Sequence, residues 1–562
     1  MKIRSSRELC RLTALAGFCV AALAVSFDWT PALGQEKAAR RAEKRKTKDA
    51  AGAIASHRPT PATGQKLDVA ALTKLIDAEV DRQMAEEKIP ASPRSDDAEF
   101  YRRLNLDLVG CIPTVEKTTA FLDSKDPGKR ARAIDQLLND ERFGKFHAEL
   151  WAGLMLPRES NNRRLSAAPL ETWLADEFNK NVPMNTLVYD LLTATGAQDK
   201  NGATTYFIAN PSVDKITDNV TRMFLGVQLQ CAQCHNHPFT DWKQKEYWGM
   251  AQFFAKVRVN GNPNKAAKDG TPISIVESDK KGKKKGLPPS ALKVSAKFLG
   301  GAEPKLSPSE PNRPVLAKWL VAPENPYFAR AMVNRVWHGL FGRGLVNPVD
   351  DMHANNEPTH PELLDALTEQ FKASGFDMKF LMRAILSSET YQRTSRPLAA
   401  NKDDRELYSH RSVRSMLPEQ LFDSLTVAIG KEDRPRRKAM APPMGKGKKG
   451  AGQRDQFLNF FRVVEEPDVM QYEIGIPQVL RMMNSGQTNA VQGIVEHAMK
   501  TAGPDNAKTI ERIYLAALSR RPTADETKRI VDLVQKTPTS SRTVYGDLCW
   551  AMLNSSEFIL NP

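Results

Sequence analysis

Val220-Thr221-Arg222-Met223-Phe224-Leu225-Gly226-Val227-Gln228-Leu229-Gln230-Cys231-Ala232-Gln233-Cys234-His235 is the run on which the reading of this chain turns. Val220, Phe224, Val227 and Cys231 recur at helical spacing, so the run predicts an amphipathic helix that delivers the cysteines at its inner end, where a buried cofactor would sit. Its last five residues spell Cys-x-x-Cys-His, which reads first as the attachment site of a c-type haem. That chemistry needs the order found here. Two thiols each add to a porphyrin vinyl group, and the adjacent imidazole of His235 coordinates the iron from the same side.

Other readings of the motif stay open. A Cys-x-x-Cys pair also serves as a disulfide or redox dithiol, or supplies two ligands to a zinc or iron site with His235 and His237 as nitrogen donors. A sixth haem ligand would come from Met223, Met250, Met352, His338 or His353, among which sequence separation does not choose. Phe239, Trp242, Tyr247, Trp248, Phe253 and Phe254 crowd the next segment although aromatics are 7% of the chain. Such crowding suits a porphyrin wall or plain core.

Outward from the motif, the first segment carries an address. Lys2, Arg4, Arg7 and Arg11 precede a mostly apolar stretch, and Ala32-Leu33-Gly34 supplies small residues before a cut, so residues 1–34 read as a signal peptide. The mature chain is then expected to begin near Gln35 and to be periplasmic or secreted. The apolar stretch is short for a bilayer span, which takes ~20 residues, and no later segment is apolar and long enough, so no integral membrane span is expected in the mature chain. Phe18 before Cys19 argues against lipidation. Removal of Cys10 and Cys19 leaves Cys111, Cys231, Cys234 and Cys549, too few for a disulfide scaffold. Cys111 and Cys549 lie in apolar surroundings and read as buried thiols.

The formal charge of +15 does not point to nucleic acid. Residues 36–48, 280–285 and 434–454 carry net charges of +5, +5 and +8, which together exceed the total and leave the remainder near neutral at −3. Each tract contains Ala, Gly or Pro and holds little that packs, the composition of a solvated linker.

Between the tracts the pattern is helical. Asp68 caps a helix with Val69, Leu72, Ile76 and Val80 on its inner face, and Asp96 with Glu99 opens another bearing Phe100, Leu104 and Leu108. Residues 35–67 form a basic linker, 68–257 an N-terminal helical domain holding the motif, 258–310 a basic insert, and 311–562 a C-terminal helical domain with a disordered basic loop at 434–454. In the insert, Ile273-Ser274-Ile275-Val276 and residues 292–298 alternate like short strands. The predicted fold is mainly α: two helical domains with a small β-containing insert between them.

Other catalytic templates mostly fail. Gly445-Lys446-Gly447-Lys448-Lys449-Gly450 spells G-x-G-x-x-G without a preceding strand, and no Walker A, H-E-x-x-H or G-x-S-x-G occurs. One cluster survives: Asp350, Asp351, His353, Glu357 and His360 fall in one loop, where carboxylates and imidazoles could bind a divalent cation or act as acid and base. The same composition suits a capped turn between helices. Arg335, Arg343 and Trp337 would join that site, or serve as ion-pair and core residues.

At residues 103–114 and 224–239, running Phe224 through Cys231, Cys234, His235 and His237 to Phe239, the sequence resembles a planctomycete cytochrome-associated (PSCyt-type) domain of unknown function. Residues 334–346, 360–364, 387–391, 518–523 and 551–558 resemble its usual companion, a planctomycete-specific (PSD-type) domain. The resemblance implies an exported protein, often encoded beside a sulfatase-like partner, with an inferred cytochrome character and no settled activity. Cys111 stands where the family usually carries an apolar residue, and the separate N-terminal cytochrome domain of longer relatives is missing, so haem here is expected to be single. The functional expectation is an exported c-type-cytochrome-like protein with one haem c, in periplasmic electron transfer or redox chemistry. The alternatives are a metal-dependent hydrolase for sulfated polysaccharide, with zinc or iron, or an envelope scaffold.

Overall fold

The computed structural model describes residues 65–157, 166–261, 272–278, 287–430, 452–461, 475–484, 491–537 and 540–562. The chain is built of helices whose starts obey local capping chemistry. Asp68 accepts a hydrogen bond from the Ala71 N–H and opens helix Val69–Glu87, which buries Leu72, Ile76 and Val80. Asp96 accepts from the Glu99 N–H and opens helix Asp97–Val109. These caps satisfy N–H groups that have no partner inside the helix.

Helix Asp97–Val109 is central to the core, and it is buried on every face from Phe100 to Val109, including Arg102, Arg103, Asn105 and Asp107. Several of its charged groups find partners in the C-terminal half of the chain. Arg103 donates to the Arg393 carbonyl (2.9 Å) and Arg102 to that of Phe558 (2.7 Å). Asp107 accepts from Arg414 and Asn561 on one oxygen (2.9 and 2.8 Å), and from Tyr391 and Arg411 on the other (2.9 and 3.1 Å). The two helical regions therefore share one core, and residues 61–562 form one compact unit.

The helix ends on Gly110 at φ +71°. A Cβ there would stand 2.3 Å from the Phe146 ring. Gly110→Ala is expected to cost about 2–4 kcal/mol, from left-handed backbone plus a displaced buried ring. A lowered urea midpoint at unchanged m-value checks it.

The insert contributes strands β2, Val257–Asn260, and β3, Ser274–Glu277, which pair antiparallel with each other, while β3 also pairs with β1, Gly196–Ala197, giving the order β1-β3-β2. Ile275 faces Val259 on one side and Gly196 on the other and is fully buried. Glu277 at the end of β3 forms a buried ion pair with Arg313, whose guanidinium also donates to the carbonyls of Leu192 and Ala194. A second pair, β4 at Arg414–Ser415 with β5 at Leu560–Asn561, brings the end of the chain into the core.

Two expectations are corrected. Residues 292–298 form no strand: Pro289–Lys293 is a 3-10 turn, the Lys297 N–H bonds the Gly249 carbonyl, and Phe298 stacks between Phe253 and Trp319 (5.3 and 4.8 Å). An alternating pattern here reflects packing against helices, not a sheet. Arg454, at the edge of the second predicted loop, is not solvated, because it pairs with Glu149 (2.7 Å) and Asp423 (3.0 Å) at the start of helix Gln453–Phe461. Residues 65–67 are docked as well, with Leu67 N–H donating to Gln370. Residues 1–34, read from the sequence as a signal peptide, the basic tract 280–285 and residues 434–451 lie outside the described residues. Among the described residues no helix is long and apolar enough to cross a membrane.

Candidate functional site

The motif is reached by a helix that stops earlier than predicted. Helix Val213–Val220 continues as a single π-turn, Thr221–Leu225, and ends at Gly226 with φ +67°. A Cβ on Gly226 would meet Met352 Sδ at 3.0 Å and Ala331 Cβ at 3.3 Å, so the packing of two distant segments requires glycine there. Cys231 does not extend the helix face begun at Val220. It stands on a separate 3-10 turn, Gln230–Gln233, and both thiols are exposed and free rather than buried.

Apolar anchors and two side-chain clamps fix that turn. Val227, Leu229 and Ala232 are buried beneath it. Gln244 donates to the carbonyls of Gln233 (3.0 Å) and Cys234 (2.9 Å), and the Trp248 indole N–H donates to Gln233 (3.1 Å). Gln244 and Trp248 are four residues apart and share one face of helix Gln244–Ala251. Gln244 was not legible as a site residue, although that spacing beside an aromatic was the available signal.

The two histidines differ in orientation. His235 Nδ1 lies 2.6 Å from the Asn236 carbonyl oxygen. An acceptor at that distance puts the proton on Nδ1 of the neutral ring and leaves Nε2 with a lone pair, the arrangement of a ligating histidine held by a backbone carbonyl. His237 Nδ1 instead accepts from the Phe239 N–H (3.2 Å), which puts its proton on Nε2. Partial burial pushes the His237 imidazole down, Asp351 opposes this, and His353 and His235 push it further down. The motif and the acidic loop thus face each other.

The acidic cluster divides. Asp350 is buried, with one oxygen on Arg222 (2.8 Å) and the other on Gln228 (2.9 Å), so it ties the loop to the segment entering the motif. Asp351 and His353 form a 3.5 Å pair, and Asn355 reaches the Phe239 carbonyl (3.2 Å). His360 is buried away from them, bonded to Thr359 and tilted against Tyr408. Glu357 is exposed. Arg343 pairs with Glu406, Arg335 donates to the Arg222 carbonyl, and Trp337 stacks on Phe341 in the core. No group of three His, Cys, Asp or Glu among the described residues is arranged to hold a metal ion, so the five-residue cluster read from the sequence does not assemble as one centre.

Most of the crowded aromatics are core. Tyr247, Trp248, Phe253 and Phe254 are buried, whereas Phe239 is 76% exposed and Trp242 is half-buried. Of the axial-ligand candidates, Met223, Met250 and His338 are buried in the interior, while Met352 and His353 lie on the loop that meets the motif segment, where the Met352 N–H bonds the Gly226 carbonyl (2.8 Å). Burial pushes the Cys111 and Cys549 thiols up to about 11 and about 12, as expected of inert interior cysteines.

Residues 75–259 match the family model PSCyt2, a protein of unknown function (DUF1549), and residues 312–534 match PSD1, a protein of unknown function (DUF1553). No curated protein and no solved structure matches the chain.

Proposed function

We propose, from the premise that this chain belongs to the paired PSCyt2 and PSD1 family, that it is an exported c-type-cytochrome-like protein carrying one covalently bound haem in periplasmic redox or electron-transfer chemistry. The observation that carries the reading is His235, whose Nδ1 is engaged by the Asn236 carbonyl and whose Nε2 is left as a lone-pair donor beside two exposed thiols. The residues present fit the group at the motif. Cys231 and Cys234 would hold it through thioether bonds and His235 would be the proximal ligand; when bound, haem supplies a one-electron redox centre. Gln244 and Trp248 hold the backbone of the turn that carries Cys231 and Cys234.

The surroundings modify the sequence reading. With four of the six aromatics committed to core, the wall of the site consists of Phe239, Trp242 and the loop bearing Asp351, Met352 and His353. Met352 and His353, on that loop, would be the residues placed to supply a further ligand. The proposed setting is the periplasm, through the signal segment 1–34, beside the sulfatase-like partner that the family resemblance implies.

The alternative read from the sequence is zinc or iron held by Cys231, Cys234 and a histidine, although no three such ligands are grouped among the described residues. The experiment that separates the two is a visible spectrum of protein matured with a cytochrome c assembly system, followed by acid-acetone extraction. A Soret band that stays with the polypeptide is expected, because thioether bonds do not depend on the fold. Stoichiometric zinc without a Soret band, lost on denaturation, overturns the proposal.

A further inference from the structure

Strand β2 is the edge of its sheet, since the order is β1-β3-β2. The Ser278 N–H bonds the Lys256 carbonyl (2.9 Å), one step beyond the pairing of Val257 with Glu277 and in the same antiparallel register. Bonded and non-bonded pairs alternate in such a ladder, so Arg258 and Asn260 bond β3, while the backbone groups of Val257 and Val259 point away from it. Residues Val257, Arg258 and Val259 line a groove of about 270 Å³, nearly twice the ~150 Å³ that admits a benzene ring. Its apolar part is supplied by Phe207, Ile216 and Phe254, which are buried.

The polar groups along this groove are left over. Ser212, also in its lining, stands at the N-cap position of helix Val213–Val220, yet its hydroxyl caps nothing, although capping is what serine does best there. Ser212 is only 9% exposed, and its hydroxyl has no partner among the described residues. Asn210, more deeply buried, spends Nδ2 on the carbonyls of Met155 (3.1 Å) and Tyr206 (2.9 Å), which fixes the amide and leaves Oδ1 as an acceptor with no donor among the described residues. Arg258 folds over its own strand, with Nη1 donating to the carbonyls of Ala255 (2.9 Å) and Val257 (2.8 Å), and it meets no carboxylate among the described residues. A charged side chain on an edge strand commonly blocks further pairing. Here it covers the Val257 carbonyl and leaves the Val257 N–H and both backbone groups of Val259 open.

We propose that the groove takes the carboxyl-terminal end of an extended peptide with an apolar last residue, which pairs with the open edge of β2. The peptide backbone supplies both what Val259 offers to and what it needs from a neighbouring strand, and one of its amide N–H groups donates to Asn210 Oδ1. Its terminal carboxylate is the counter-charge that Arg258 lacks, and its last side chain lies against Ile216 and Phe254. An extended chain is favoured over a compact ligand because the open groups are spaced along a strand, and a chain end over an internal segment because the one unpaired charge is positive. This inference does not rest on the haem reading.

The test is calorimetric titration of the full chain with the peptide acetyl-Ala-Thr-Ala-Leu bearing a free carboxylate. Saturable one-to-one binding is expected. Amidation of the peptide's carboxylate and Arg258→Gln should each weaken it by roughly tenfold or more, and N-methylation of the two middle amides should abolish it. Val259→Pro removes one outward donor and spares every bond to β3, so it should weaken binding roughly fivefold or more while far-UV circular dichroism stays unchanged. If Val259→Pro does not fold, the two modified peptides decide the matter on the wild type. No binding to folded wild type, undiminished binding of either modified peptide, or unchanged binding by folded Val259→Pro overturns the proposal. So does a dimer in sedimentation that the peptide fails to dissociate and that Val259→Pro abolishes, since a second copy of β2 would then be the occupant.

Discussion

Asp107→Ala should lower the stability of this protein by about 3–5 kcal/mol, a large share of the 5–15 kcal/mol that holds a typical domain. The carboxylate is 6% exposed and is shared by Arg411, Arg414, Tyr391 and Asn561. Its removal leaves two guanidiniums inside the protein with no counter-charge, and burial already pushes Arg411 down to about 9. Tyr391→Phe deletes one of the four hydrogen bonds and leaves the carboxylate in place, so it should cost only about 1 kcal/mol. Urea unfolding followed by circular dichroism compares the two. Similar midpoints for both variants would mean that charge compensation is not what holds this region.

The other large effect falls on the motif. In protein matured with a cytochrome c assembly system, Cys231→Ser or Cys234→Ser should leave at most one thioether bond, and the double variant should lose all covalent haem. Acid-acetone should therefore extract haem almost completely from the double variant and hardly at all from the wild type. His235→Ala should keep covalent haem and shift its spectrum, because the thiols are untouched while the Nε2 ligand is gone. Retention of haem by the double serine variant would defeat the assignment of both cysteines. Neither substitution should disturb folding much, since both thiols are exposed.

Much of the helical architecture was legible because it rests on local chemistry. The caps at Asp68 and Asp96 and the stripe Leu72, Ile76, Val80 are where spacing puts them, since a cap and an amphipathic face need only near neighbours. The break at Gly226 was not legible, because the reason for glycine there is Met352, which is distant in sequence. Four of the aromatics after the motif could be read as wall or core from composition, and only packing decided for core. The acidic loop looked like one cluster because its residues are consecutive, yet Asp350 is consumed by Arg222 and Gln228 and His360 by a helix start. The Asp107 network left no periodic trace at all. Its four partners come from three separate segments, and a helix buried on every face has no polar stripe to reveal it.

That network also sets an order of events. Asn561, the next-to-last residue, closes on Asp107 across 454 positions. At a synthesis rate of roughly 5–20 residues per second, the helix carrying Asp107 waits about 20–90 s for its final partner. Through that interval the growing chain carries a carboxylate and several guanidiniums that have no finished interior to enter, so a helix made early is among the last to be sealed. Loss of residues 560–562 would remove β5 and leave that seal open.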